Sequence, residues 1–258
     1  MRNLTPKERL LAVLRHEVVD RPPVICPGGM MNAAIVDVMN ASGHTLPAAH
    51  SDATLMAGLA AAVHQHTGFE NLGVPFCMTA EAEVFGSAID LGTFTCEPKI
   101  TKELFPFAAA VTVNDIEKLL QCGRIQTIAD TVRLLSEKHP TIPVIGNLTG
   151  PISTAASIID PIPFLKDLRK NPTASHHALE YVTDFLIAFA KLLIDNGADL
   201  ISIADPTATG EILGPKMFDE YAIAYLNKLI DGIHAHTSPA RRQTPVIVHI
   251  CGNMNSVK

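Results

Sequence analysis

The residues best suited to chemistry lie near the C-terminal end of the sequence. Val246, Ile247 and Val248 read as a short buried strand that opens at Pro245, and His249 and Cys251 follow before Gly252 and Asn253. Residues two apart in a strand point to the same side. This spacing therefore presents an imidazole nitrogen and a sulfur together, where the strand gives way to a glycine-containing loop. One borderline and one soft donor side by side suit Zn²⁺. The competing reading makes Cys251 a small buried hydrophobe.

The elements that must position such a pair are clearest in the second half of the chain. Strands at 143–148, 198–204 and 245–249 alternate with helices at Pro161–Lys170, Ser175–Asn196 and Pro215–His234. Repeated strand-loop-helix units imply a parallel sheet with right-handed crossovers. The expected fold class is α/β, of the (β/α)8 TIM-barrel type, in a single domain over 1–258. In the first half, Thr5 with Pro6 and Glu8 reads as a capping box opening a helix over 5–16. Strands are expected at 24–26 and 71–78, helices at 30–40, 52–67 and 126–139, another helix opening at 114, and an excursion of short strands over 89–107.

Polar residues just past the C-terminal ends of such strands converge on one face. Collected in order they are Cys26, Cys77 with Glu81 and Glu83, Asn147 with Thr149, Asp205 with Thr207, and His249 with Cys251. Glu81, Asn147 and Asp205 are the candidate catalytic residues, and His249 and Cys251 the candidate metal ligands. Each has a plainer reading: Asp205 as a loop or cap residue, Thr149-Gly150-Pro151 as a turn, Glu81 and Glu83 as solvated or capping carboxylates, and Cys26 and Cys77 as core. The set contains no lysine or arginine, which argues against a site built to clamp phosphates.

Composition narrows the classes further. Apolar residues make up 47% and aromatics only 5%, with no tryptophan, as expected for a core of Ala, Leu, Ile and Val between helices and parallel strands. A net charge of −6 excludes nucleic acid and anionic membrane surfaces as partners. No apolar signal region opens the chain and no run of about 18 apolar residues follows, so a cytoplasmic, soluble protein is expected. The five cysteines are widely spaced and odd in number, unlike a disulfide framework. Cys96 and Cys122 are expected in the core.

Several segments together resemble a known family. Arg2–Asp20 with Arg21-Pro22-Pro23-Val24 is similar to the opening of the uroporphyrinogen decarboxylase superfamily. Val144–Ser153, Gly197–Pro206, Ile212–Phe218 and Val248–Gly252 resemble its methylcobamide:coenzyme M methyltransferase branch. The decarboxylases carry an arginine-rich segment near the first strand to hold substrate carboxylates. The corresponding stretch here, Cys26-Pro27-Gly28-Gly29-Met30-Met31-Asn32, has none.

The methyltransferase branch binds zinc through a His-x-Cys on one strand, matched by His249 and Cys251, and a second cysteine much further along, which would fall beyond Lys258. The resemblance therefore implies a barrel lacking its last two β/α units. The third ligand would come from Cys26, Cys77 or Glu81, and the exposed sheet edges would be covered by a partner subunit, as in a homo-oligomer. It further implies transfer of a methyl group from a methylated corrinoid (methylcobamide) on a partner corrinoid protein to a small thiol such as coenzyme M. Asp205, Glu81 and Asn147 would then orient the thiol or the ligands. The rival expectations are a decarboxylase of the same superfamily and a barrel that binds a corrinoid protein without catalysis.

Overall fold

The computed structural model describes residues 3–27, 32–236, 243–252 and 254. The predicted loop at Gly28-Gly29, the helix start at Met30, and Asn253 lie outside them. The chain runs α1 (Pro6–Leu14), α2 (Asn32–Ser42), α3 (Ala53–Thr67), β1 (Leu72–Val74), α4 (Ala80–Phe85), β2 (Ala88–Asp90) and β3 (Lys99–Lys102). It continues through α5 (Ile116–Leu120), α6 (Gly123–Lys138), β4 (Val144–Thr149), α7 (Pro151–Ile158), α8 (Pro161–Lys170), α9 (Pro172–Asp195) and β5 (Leu200–Ala204). Then come α10 (Gly210–Met217), a π-helical turn (Phe218–Ile223), α11 (Ala224–His234) and β6 (Val246–His249).

Four strands form one parallel sheet in the order β1-β4-β5-β6, each pair joined through helices, as a (β/α) barrel requires. The excursion is an antiparallel hairpin of β2 and β3. Residues 24–26 are not a strand. Prolines at 22, 23 and 27 remove ladder donors there, and a side chain substitutes: Asn71 Oδ1 accepts from the Cys26 N–H and Nδ2 donates to the Cys26 carbonyl, both at 2.9 Å. Among the described residues no helix is long and apolar enough to cross a membrane.

The two faces of the sheet differ in what covers them. Val144, Leu148, Ile201 and Ile203 join the main core under the helices. Gly146 shares that face, where a Cβ would stand 2.9 Å from Leu193 Cδ1 of α9. The opposite face is read in rows across the register: Ile145 with Leu200, then Asn147 with Ser202 and Ile247, then Thr149 with Ala204 and His249. The lowest row is closed by α1, whose Leu10 packs with Ile145 and Leu200 and is flanked by Leu14, Ile25 and Ile247. The α1 capping box is present, with Thr5 Oγ1 accepting from the Glu8 N–H and Glu8 Oε2 from the Thr5 N–H. Apolar side chains thus plug the lower end of this face, and polar ones occupy the rows toward the strands' C-terminal ends.

Candidate functional site

At those C-terminal ends lies a cavity of about 460 Å³. Its walls include Cys26, Cys77, Asn147, Thr149, His249 and Cys251, set among apolar residues such as Ile25, Phe69 and Met78. Among the described residues that line it there is no lysine or arginine.

His249 and Cys251 come together as their spacing predicts. His249 Nε2 lies 3.1 Å from Cys251 Sγ, and both side chains are exposed. Neither His249 nor Cys251 is buried in a core. The pair is anchored through its backbone, because the Asp205 N–H donates to the His249 carbonyl at 3.0 Å and so extends the β5–β6 ladder. The chain then turns at Gly252, whose positive φ of 89° suits glycine.

The two carboxylates do not line the cavity; they hold its frame. Glu81, on the first turn of α4, is buried and accepts the Thr149 N–H at 2.7 Å and the Thr149 hydroxyl at 3.1 Å. Burial pushes its carboxyl up, against the pull of these bonds from Thr149. Asp205 is fully buried and accepts from the Ile152 N–H at 3.1 Å and the Ser153 N–H at 2.8 Å. It serves as the N-terminal cap of α7, a helix whose own preceding residue, Gly150, has no side chain to offer. Burial pushes the Asp205 carboxyl up to about 6, against the pull of the Ser153 side chain and the same two N–H bonds. Gly150 is obligatory beside it, since a Cβ there would overlap the Asp205 side chain.

Asn147 does line the cavity, yet neither atom of its amide has a hydrogen-bond partner among the described residues, and both are buried. Cys77 also stands in the wall, but held from behind by Arg124. That guanidinium donates through Nη1 to Cys77 Sγ at 3.1 Å, through Nη2 to Thr79 Oγ1 at 3.0 Å, and through Nε to Glu83. Arg124 was not in the candidate set, and it stands behind the cavity wall rather than in it. Arg124 lies on α6, 47 residues from Cys77, and its only local signal is a cation amid the buried face of Ile125, Ile128 and Val132. Glu83 is thereby an ion-pair partner rather than a site carboxylate. His50, buried with both ring nitrogens unpartnered, is pushed down to about 4 by burial and the charge of Arg124. Cys96 and Cys122, expected in the core, are exposed.

A nitrogen and a sulfur donor side by side at a cavity mouth fit two ligands of a zinc site. Among the described residues no three His, Cys, Asp or Glu side chains gather to hold a metal. Glu81 is engaged by Thr149 and Cys77 by Arg124, and neither gathers with the pair in the structure.

The sequence matches the uroporphyrinogen decarboxylase (URO-D) family over residues 5–258. It is 39% identical over 258 residues to the methylcobamide:CoM methyltransferase MtbA of Methanosarcina mazei, covering 98% of this chain and 72% of that protein. It is 32% identical over 260 residues to the methylcobamide:CoM methyltransferase MtaA of Methanosarcina barkeri, covering 72% of that protein too. A solved structure of a methyltransferase from Methanosarcina mazei superimposes with a TM-score of 0.87 at 32% identity, over 98% of this chain and 72% of that one.

Proposed function

The chain belongs to the uroporphyrinogen decarboxylase family, an enzyme family, and from that premise we propose that it transfers a methyl group from a methylated corrinoid protein to a small thiol such as coenzyme M. The observation that carries this reading is the His249 and Cys251 pair, 3.1 Å apart at the mouth of an apolar cavity. It is supported by relatives named as methylcobamide:CoM methyltransferases that align along nearly the whole chain.

His249 and Cys251 would hold zinc. Zinc bound there would deprotonate an incoming thiol and keep it as thiolate at neutral pH, where a free thiol near pKa 8.5 is mostly protonated. The chain's own residues do the rest by position. The Asp205 N–H bond to the His249 carbonyl fixes where the imidazole starts, and Glu81 fixes the end of β4 through Thr149. The apolar walls of the cavity surround the rest of the thiol below the mouth. The thiolate sulfur would take the methyl group as the cobalt–carbon bond of the methylated corrinoid breaks, its electron pair staying on cobalt as Co(I), and the thiol's proton is released to solvent. A bulky macrocycle can reach that sulfur only from the open mouth, so the acceptor lies beneath it with its sulfur outward.

Methylcobalamin and coenzyme M, incubated with the zinc-loaded protein, should yield the methyl thioether by mass spectrometry. His249→Ala and Cys251→Ala should each slow its formation by more than about 100-fold, since loss of even an outer-shell partner of a metal ligand costs about 10–100-fold. Unchanged rates in both variants would overturn the assignment. A decarboxylase of the same family would need cationic partners for substrate carboxylates. The segment Cys26–Asn32 has no arginine, and Arg124 is committed to Glu83, Cys77 and Thr79; no porphyrinogen turnover is expected.

A further inference from the structure

The three residues selected as catalytic candidates divide sharply in their hydrogen bonding. Both carboxylates are occupied by backbone of this chain, Glu81 by Thr149 and Asp205 by α7. The Asn147 amide has no partner among the described residues, at a place where water cannot reach its polar atoms. A buried amide left unpaired opposes folding, and nearly all buried polar groups in native proteins find a partner. An exception beside a cavity calls for a partner that arrives later.

The rows of the sheet say where such a partner would lie. Asn147 stands level with Ser202, and His249 level with Ala204 on the same face. The amide's residue is therefore one row, about 7 Å, deeper in the cavity than the imidazole's. Below it the row of Ile145 and Leu200 and the side chain of Leu10 close the space. Beside it on neighbouring β1, level with Ile145, Gly73 has no side chain, and a Cβ there would stand 3.4 Å from Asn147 Nδ2. Asn147 Nδ2 lies beside Gly73, and because the amide holds no hydrogen bond to the described residues it can turn about its Cα–Cβ bond without breaking one.

Resting on the methyl-transfer reading, in which the thiol sulfur faces the mouth, we propose that Asn147 is the specificity-determining residue for the far end of the acceptor. It selects a short thiol whose tail, a few atoms from the sulfur, carries hydrogen-bonding oxygen. An apolar cavity alone would favour the opposite, a thiol with a bare alkyl tail. Among the described residues of the wall, a preference for oxygen would therefore come from Asn147, whose amide is buried and unpaired.

Three thiols of similar length separate the possibilities: ethanethiol, 2-mercaptoethanol and 2-mercaptoethanesulfonate. Binding of each to the zinc-loaded protein is measured by calorimetry without any methyl donor, for wild type and Asn147→Leu. In wild type the two oxygen-bearing thiols should bind about tenfold more tightly than ethanethiol, as one buried hydrogen bond allows. In Asn147→Leu that preference should vanish while ethanethiol binding is kept, and the variant should unfold at the same or a higher temperature, because an unpaired amide has been replaced by an apolar group of similar size. The same preference in both proteins, or none in wild type, would overturn the inference; so would loss of all three thiols from a variant that remains folded. Methylcobalamin is added only afterwards. Absence of methyl transfer in wild type would count against the methyl-transfer reading, whatever the binding preference.

Discussion

Burial holds the Asp205 carboxyl near 6 in the folded chain, against an ordinary value of 3.8. A carboxyl raised in this way contributes stability that is fully present below about pH 3.8 and lost as pH rises through about 6. Asp205→Asn keeps the shape of the protonated form and does not titrate. Urea unfolding of the two proteins between pH 4 and 7 should show the variant gaining on wild type by on the order of 2–3 kcal/mol. A difference that stays constant over that range would refute the assigned shift. The type and spacing of His249 and Cys251 were legible in the sequence because a strand's period of two places them together without help from any other segment. What Asp205, Glu81 and Arg124 do was not legible, because their partners Ser153, Thr149 and Cys77 lie 52, 68 and 47 residues away.

Among the elements, α7 shows the same limit most directly. Thr149-Gly150-Pro151 reads as a turn because no Ser, Thr, Asp or Asn precedes Pro151 as a local cap. The helix starts there all the same, capped by Asp205 from the end of β5. The opening of α1 was legible, since Thr5 and Glu8 satisfy each other within four residues. Gly150→Ala should push the Asp205 side chain off α7 and cost about 1–3 kcal/mol in chemical denaturation; a change below about 0.5 kcal/mol would mean that the cap is not needed. Glu70 ties the N-terminal arm down in a comparable way. It accepts from Arg9 Nη1 at 2.8 Å, Arg21 Nη1 at 2.9 Å and the Val24 N–H at 3.0 Å. Glu70→Gln leaves Arg9 buried with half its compensation, since Asp20 alone still pairs with it. A loss of about 3 kcal/mol is expected, and an unchanged denaturation midpoint would contradict it.

At the scale of the molecule, the functional pair sits on the least protected part of the sheet. β4 and β5 are buried almost throughout, whereas β6 pairs only with β5 among the described residues and leaves Val248 41% exposed. The alternation of strands and helices was legible in the sequence, and with it the parallel sheet that gathers the site at one end. The separation of the two faces, one closed by α9 and the other by α1, was not, because it depends on register. A metal held by the last residues of β6 would bind the folded sheet and not the unfolded chain, so saturating zinc should raise the unfolding temperature of wild type but not of His249→Ala.

The most direct measurement follows the sulfur itself. With cobalt(II) in place of zinc, a thiolate bound to the metal gives a charge-transfer absorption band. The wild-type protein should show such a band from Cys251, and coenzyme M should intensify it as a second sulfur binds. Cys251→Ala should lose the first contribution. A protein that retains cobalt but shows no spectral response to coenzyme M would contradict activation of a thiol at His249 and Cys251.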